Sequence, residues 1–309
     1  MKSNNMLWDT ANCPGCNEQF DAEIAFKSLR KRYQQISAIL VNYMDEAGID
    51  RPTRNMLAQK KKDDLIRIIG GKETDRFPQT CLIGSIQQAG AYPIPRWFCS
   101  GILVHERLVL TAAHCYSPDH QYVVAINATH QNDLDDAVEI KQVKKALVNE
   151  YYFQTKKYHD ISALILREPS TIAPISIATS EEINSAEEVT LAGFGNSDRN
   201  STVGFGIKRE VNVPIMSILR DRSTDLSEEE YTYGFEADLE FVAGGGGFDS
   251  CSGDSGGPAF IKVGGEYKLA GLTSRATLTS DFLCGDGGIY TRVDQQRSWI
   301  NSILDFDFI

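Results

Sequence analysis

Residues 102–112 read Ile102-Leu103-Val104-His105-Glu106-Arg107-Leu108-Val109-Leu110-Thr111-Ala112, two apolar runs parted by a short charged turn. Both runs are rich in β-branched residues, and neither has the spacing of a helix face, so they read as buried strands. The same texture recurs at 121–126 (QYVVAI), 161–168 (ISALILRE), 187–195 (EEVTLAGFG), 266–274 (EYKLAGLTS) and 288–293 (GIYTRV), with Gly, Pro, Asn and Asp clusters between. Many short strands at such spacing indicate an all-β barrel or sandwich. Toward the C-terminus, Trp299, Ile300 and Leu304 lie at helical spacing between Asp294 and Phe306, which predicts a closing helix.

The material before Arg67 is different. Residues 1–67 hold 11 Lys and Arg against 9 Asp and Glu, leaving 20 against 33 for residues 68–309, so a net charge near neutral gives way to an acidic one. Phe20, Ile24, Leu29, Tyr33, Ile36, Leu40 and Tyr43 recur every three to five residues between Glu18 and Ala47, which predicts one amphipathic helix that packs on the main domain or on a partner. Residues 49–67 contain Pro52, Lys60, Lys61, Lys62, Asp63 and Asp64 and read as an accessible linker. The organisation expected is a prosegment over 1–67 and a catalytic domain over 68–309.

Composition narrows the function. With 309 residues the chain has room for about two domains at ~150 residues each, or one all-β enzyme with an appendage. No apolar run approaches the ~18 residues of a membrane span, which excludes an integral membrane protein. A net charge of −11 opposes a phosphate backbone, so nucleic acid is not an expected partner. The first 16 residues lack an apolar stretch of ~7–15 residues, and on that reading the chain is expected in the cytoplasm, with secretion as the alternative.

Three words carry chemistry. Thr111-Ala112-Ala113-His114-Cys115 delivers a histidine at the end of a buried strand. His159-Asp160 precedes the apolar run 161–166, where a carboxylate stays ionised only if donors meet it. Gly253-Asp254-Ser255-Gly256-Gly257-Pro258 surrounds one hydroxyl with glycines, so that another backbone can approach it. Singly, these read as a structural histidine, a turn aspartate and a tight turn.

In that order and in those words they resemble the chymotrypsin/trypsin family of serine proteases. The resemblance runs from Ile68 to about Ile309 and takes in Ile68-Ile69-Gly70-Gly71, Ala192-Gly193-Phe194-Gly195, Asp249-Ser250-Cys251 and the 288–293 run. It implies two six-stranded antiparallel β-barrels and a Ser255, His114 and Asp160 triad. His114 is the base that activates a poor nucleophile, and Asp160 orients it. The backbone N–H groups of Gly253 and Ser255 match the oxyanion hole.

The resemblance also implies a zymogen cut at Arg67-Ile68, after which the new α-amino group of Ile68 pairs with Asp254. Asp249 matches the base of the primary pocket and selects Arg or Lys, with Ser250, Ser274, Ala276 and Gly288 around it. Where the family usually reads Ser-Trp-Gly, this chain reads Ser274-Arg275-Ala276. That leaves Arg275 either to favour acidic residues upstream of the cut or to pair with one of the protein's own carboxylates. Because Arg67 fits the expected preference, self-activation in trans is open.

By resemblance, Cys99 pairs with Cys115 and Cys251 with Cys284. Val242 stands where the family commonly has a cysteine, and the missing bridge is read as consistent with a less oxidising compartment. Cys81 has no family partner and reads as a buried thiol. Cys13-Pro14-Gly15-Cys16 is half a zinc site, a redox pair or a local disulfide, with only Cys81, His105, His120, His130 and His159 to complete a metal site. Asp133, Asp135, Asp136 and Glu139 read as a solvated acidic face ahead of a calcium loop. No cofactor and no metal is assigned. The expected partners are polypeptides with Arg or Lys at the cut, and a controller protein docking on residues 18–47. The expected role is a regulated intracellular proteolytic effector, and the alternatives are a catalytically silent binding module and a secreted digestive protease.

Overall fold

The structure, a computed structural model, describes residues 71–89, 92–132, 137–198, 202–221, 225–282 and 284–307. The expected helix at 18–47, the Cys13/Cys16 pair, the linker, Arg67, Ile68, Asp133, Asp135 and Asp136 lie outside them.

Strands β2 (Thr80–Ala89), β3 (Tyr92–His105), β4 (Leu108–Thr111), β5 (Tyr122–Ile126), β6 (Glu139–Val148) and β7 (Ser162–Leu166) close a barrel in the order β2-β3-β4-β7-β6-β5. A second barrel is made by β8 (Glu188–Gly193), β9 (Arg209–Ile218), β10 (Glu240–Ala243), β11 (Pro258–Val263), β12 (Glu266–Ala276) and β13 (Gly288–Arg292). Its order is β8-β9-β10-β13-β12-β11, with β11 returning to β8, and β1 (Lys72–Glu73) adds to β9. Every pairing is antiparallel. The fold is the expected pair of six-stranded barrels, and closure pairs each barrel strand on both sides.

The apolar runs of the sequence do not alternate with polar residues because the strands that carry them are covered on both sides. All residues of β4, β5, β7, β10 and β13 are buried. One face fills a barrel, and for β4 and β7 the other faces the second barrel. Leu108, Leu110, Ala163 and Ile165 share a cluster with Phe260, Leu269, Leu272 and Val293. Phe77 stacks on Phe260 with ring centres 4.5 Å apart. Burying each such side chain stabilises the fold by about 1.5–3 kcal/mol, so the seam between barrels is a strong junction.

Four helices complete the described chain: α1 (Glu150–Thr155), α2 (Ser180–Ser185), α3 (Ser227–Tyr233) and α4 (Arg297–Asp307). The closing helix starts at Arg297, three residues later than expected, because Asp294–Gln296 form a 3-10 turn in which Asp294 is held by Arg292. Ile300 and Ile303 anchor α4 on the inter-barrel cluster. Among the described residues, no helix is long and apolar enough to cross a membrane.

Candidate active site

The site is built where the barrels meet. His114 sits in the 3-10 turn Ala113–Cys115 that follows β4. Asp160 follows a tight turn at His159, whose φ of 56° lets Ile161 N donate back to His159 O at 2.8 Å. Because β4 and β7 are paired, Thr111 against Ser162, the turn after one strand meets the turn before the other. Asp160 Oδ2 accepts from His114 Nδ1 at 2.8 Å, and Oδ1 accepts from His114 N at 2.9 Å. A third donor, Ser274 Oγ, reaches Asp160 Oδ2 at 2.6 Å. Burial pushes the Asp160 carboxyl up, but the His114 bond and charge and the Ser274 hydroxyl outweigh it and hold the carboxyl below its ordinary range.

Ser255 is carried on the loop between β10 and β11 and is tied to the first barrel. Ser100 N donates to Ser255 O at 3.0 Å. Gly256 has φ of 75°, and a Cβ there would run into Thr111 Oγ1 and Ala112 N, the residues just ahead of His114. Only glycine lets the Ser255 loop come this close to the histidine strand.

Peptide planarity sets two N–H directions. Ser252 O accepts from Asn196 N at 2.9 Å, and Asp254 O accepts from Gly257 N at 2.6 Å. In a trans peptide the N–H points opposite its carbonyl, so the N–H groups of Gly253 and Ser255 face away from those partners. Among the described residues neither N–H is bonded to a backbone carbonyl. Two unsatisfied donors beside a hydroxyl can receive a negatively charged oxygen.

A pocket beside Ser255 is lined by Asp249, Ser250, Ser274, Arg275, Ala276 and Gly288, among others. Asp249 is buried at 2% exposure. Its Oδ1 accepts from Ser250 N at 2.7 Å and Tyr290 Oη at 3.1 Å, and its Oδ2 accepts from Gly287 N at 3.2 Å. Burial outweighs these donors and pushes the carboxyl up to about 7. A Cβ on Gly288 would lie 2.9 Å from Asp249 Oδ1, so glycine keeps the way to the carboxylate open.

Asp254 is buried too, accepting from Gly195 N at 2.7 Å and Cys251 N at 2.9 Å. Burial lifts it to about 6, against these bonds and the nearby Arg209 charge. Cys99–Cys115 and Cys251–Cys284 are disulfides, and Cys81 is free and buried. Burial also pushes the Cys81 thiol up, which makes it a poor nucleophile. Glu139, from the acidic group, is paired with Thr171 and Lys141. Among the described residues no cluster of His, Cys, Asp and Glu is arranged to hold a metal ion.

Several participants were not legible as such. Ser100 bonds four ways across the site: its N to Ser255 O, its O from Thr111 Oγ1 at 2.7 Å, its Oγ to Gly253 O at 2.9 Å, and its Oγ from Phe194 N at 3.1 Å. Tyr290 and Gly287 brace Asp249, and Glu240 pairs with Arg275. All are ordinary strand or turn residues in sequence, and only the folded registers bring them together.

A family model described as Trypsin matches residues 68–300. Coagulation factor IX of Oryctolagus cuniculus is 32% identical over 254 residues, covering 78% of this chain and 86% of that protein. Coagulation factor IX of Cavia porcellus is 28% identical over 302 residues, covering 89% and 100%. The CLIP domain-containing serine protease B4 of Anopheles gambiae is 30% identical over 260 residues, covering 76% and 69%.

These relatives overturn the cytoplasmic expectation, since they point to secreted, extracellular proteases. The composition of the first residues is a weaker signal of compartment than the cysteines: two formed disulfides belong to an oxidising compartment. The absent cysteine at Val242 carries no opposing weight, because Val242 is packed against apolar neighbours that fill the place of a bridge. With the fold, the paired histidine and aspartate and the matched sequence in agreement, the chain belongs to the trypsin family of serine proteases and is a serine endopeptidase acting on polypeptides.

Proposed function

We propose that this endopeptidase is made as a zymogen, is activated by cleavage at Arg67-Ile68, and then hydrolyses peptide bonds after Arg or Lys. In this reading residues 1–67 are the prosegment and residues 68–309 the catalytic domain, with residues 18–47 the surface a controller protein would engage. Asp249 carries the specificity. A buried carboxylate lining a pocket kept open by Gly288 favours a guest that brings a positive charge, since any other guest leaves its charge without a countercharge.

The chemistry follows from the placed groups. His114, held through Nδ1 by Asp160, takes the proton of Ser255 Oγ as that oxygen bonds to the scissile carbonyl carbon. The carbonyl oxygen becomes an oxyanion between the Gly253 and Ser255 N–H groups, each worth on the order of 3 kcal/mol of barrier. The C–N bond then breaks and His114 gives the proton to the departing amine. Water repeats the sequence on the acyl ester and restores Ser255.

Asp254 is a buried carboxylate with backbone donors and a raised pKa. A new ammonium group beside it removes that penalty, and the gain favours the arrangement of the 253–255 loop that forms the oxyanion hole. Profiling the cleaved protein on a peptide library tests the specificity. Hydrolysis dominated by Arg and Lys supports the role of Asp249, and a preference for small or apolar residues refutes it.

A further inference from the structure

Arg275, which stands where the family pattern Ser-Trp-Gly has tryptophan, is paired with Glu240. Glu240 has no exposed side-chain surface, and Arg275 reaches it with two prongs: Nη1 to Oε1 at 2.6 Å and Nη2 to Oε2 at 2.8 Å. That geometry matches a planar guanidinium to a carboxylate and fixes both. Glu236 N donates to Glu240 Oε2 at 2.9 Å, and Arg275 also donates to Gly234 O at 3.1 Å and Lys157 O at 3.2 Å. The Tyr158 ring lies 5.6 Å from the guanidinium carbon. Swinging Arg275 toward solvent would strand a buried charge, so it is not available to attract acidic residues of a substrate.

Arg275 Nη1 carries two protons: one goes to Glu240 Oε1, and the other is shared between Lys157 O and Ser274 Oγ, each 3.2 Å away. Arg275 Nη1 lies 3.2 Å from Ser274 Oγ, whose hydroxyl donates to Asp160 Oδ2 at 2.6 Å. A hydroxyl has one proton and two lone pairs; with the proton committed to Asp160, Ser274 meets Arg275 as an acceptor. Donation therefore runs one way from both ends: Arg275 to Glu240 and to Ser274, Ser274 to Asp160, and His114 to Asp160. A hydroxyl that accepts from a cation is a stronger donor in turn.

We propose that Arg275, clamped by Glu240, is a positioning residue for peptide hydrolysis: it fixes the direction of the Ser274 hydroxyl, and through it the carboxylate of Asp160 that orients His114. The proposal rests on the serine-endopeptidase reading above, and Arg275 acts through Ser274. A loosened Ser274 lets Asp160 tilt, and small displacements of an orienting group cost about 10–100-fold in rate while leaving substrate affinity alone.

The test uses the cleaved protein, with two readouts. One is the low-field proton resonance of the His114 Nδ1–H bond to Asp160, which needs no turnover. The other is kcat and KM on a small single-residue arginine amide. Arg275→Met is compared with Arg275→Lys and with the double variant Arg275→Met/Glu240→Met, which removes both charges together and so strands neither. Expected are an upfield-shifted His114 resonance and a kcat about tenfold lower in both Met variants, read apart from any change in KM that the loss of a pocket-lining side chain brings, with partial recovery in Arg275→Lys. A folded double variant with the parent's resonance and kcat overturns the proposal, as does failure of the double variant to fold, since the pair would then serve the fold. If the parent hydrolyses nothing while the resonance still shifts, the endopeptidase reading falls and the positioning contact stands. If the parent is active and the resonance does not move, the reverse holds.

Discussion

Ser100 Oγ donates to Gly253 O at 2.9 Å, which ties the first barrel's β3 to the loop that carries Ser255 in the second. The same oxygen accepts from Phe194 N at 3.1 Å, so one buried hydroxyl joins the Gly253 turn and the end of β8. Ser100→Ala leaves a carbonyl and an N–H without partners, at about 1–3 kcal/mol each. Denaturant unfolding should show a loss of about 2–6 kcal/mol. The residual folded enzyme should have a reduced kcat because the 253–254 peptide, next to the Ser255 N–H, is no longer tied to β3. A variant with unchanged stability and unchanged kcat would show that the two bonds are replaceable.

Gly288 guards the approach to Asp249. Since a Cβ there would lie 2.9 Å from Asp249 Oδ1 and 3.0 Å from Tyr290 Oη, Gly288→Val should block the pocket. We expect kcat/KM toward Arg and Lys substrates to fall by about 100-fold or more, as for a guest denied its paired charge. Labelling of Ser255 by a small fluorophosphonate should persist, since that reagent needs no deep pocket. Loss of labelling together with specificity would point to a collapsed site.

Burial raises Asp249 to about 7, so a proton and a guest cation compete for the same carboxylate near neutrality. Affinity of an amidinium such as benzamidine is expected to be full above that value and to fall roughly tenfold per pH unit below it. Calorimetry on the Ser255→Ala protein after cleavage measures this without turnover. Affinity that stays flat between about pH 5 and 8 would contradict the assignment.

The same shift has a sign for stability. A carboxyl whose folded value is raised binds its proton more tightly folded than unfolded, so its ionisation opposes folding as pH rises through the shifted value. Asp249→Asn removes that opposition. In the absence of a guest, Asn should stabilise the protein more at about pH 8 than at about pH 4, by thermal unfolding. Equal effects at both would mean Asp249 is ionised without penalty.

Much of this was readable because covalent patterns report it. Apolar runs such as 161–166 are legible as buried strands, and the His114–Asp160 contact is legible because the words that flank both residues resemble the family's. Arg275 was visible as a departure, but its partner was not: Glu240 is one carboxylate among many until β10 and β12, both paired to β13, fix their registers. Ser100 and Tyr290 matter through what they touch, and contact between residues more than 40 positions apart leaves no local signal. The compartment was misread because residues 1–16 were given more weight than Cys99, Cys115, Cys251 and Cys284.

The central claim is that Ser255, activated by His114 and released by the cut at Arg67-Ile68, performs the hydrolysis. Fluorophosphonate labelling of the intact chain, the cleaved chain and cleaved Ser255→Ala measures it directly. The account predicts strong labelling of the cleaved chain alone. Equal labelling of the intact chain would contradict activation by cleavage, and labelling that survives Ser255→Ala would contradict the nucleophile.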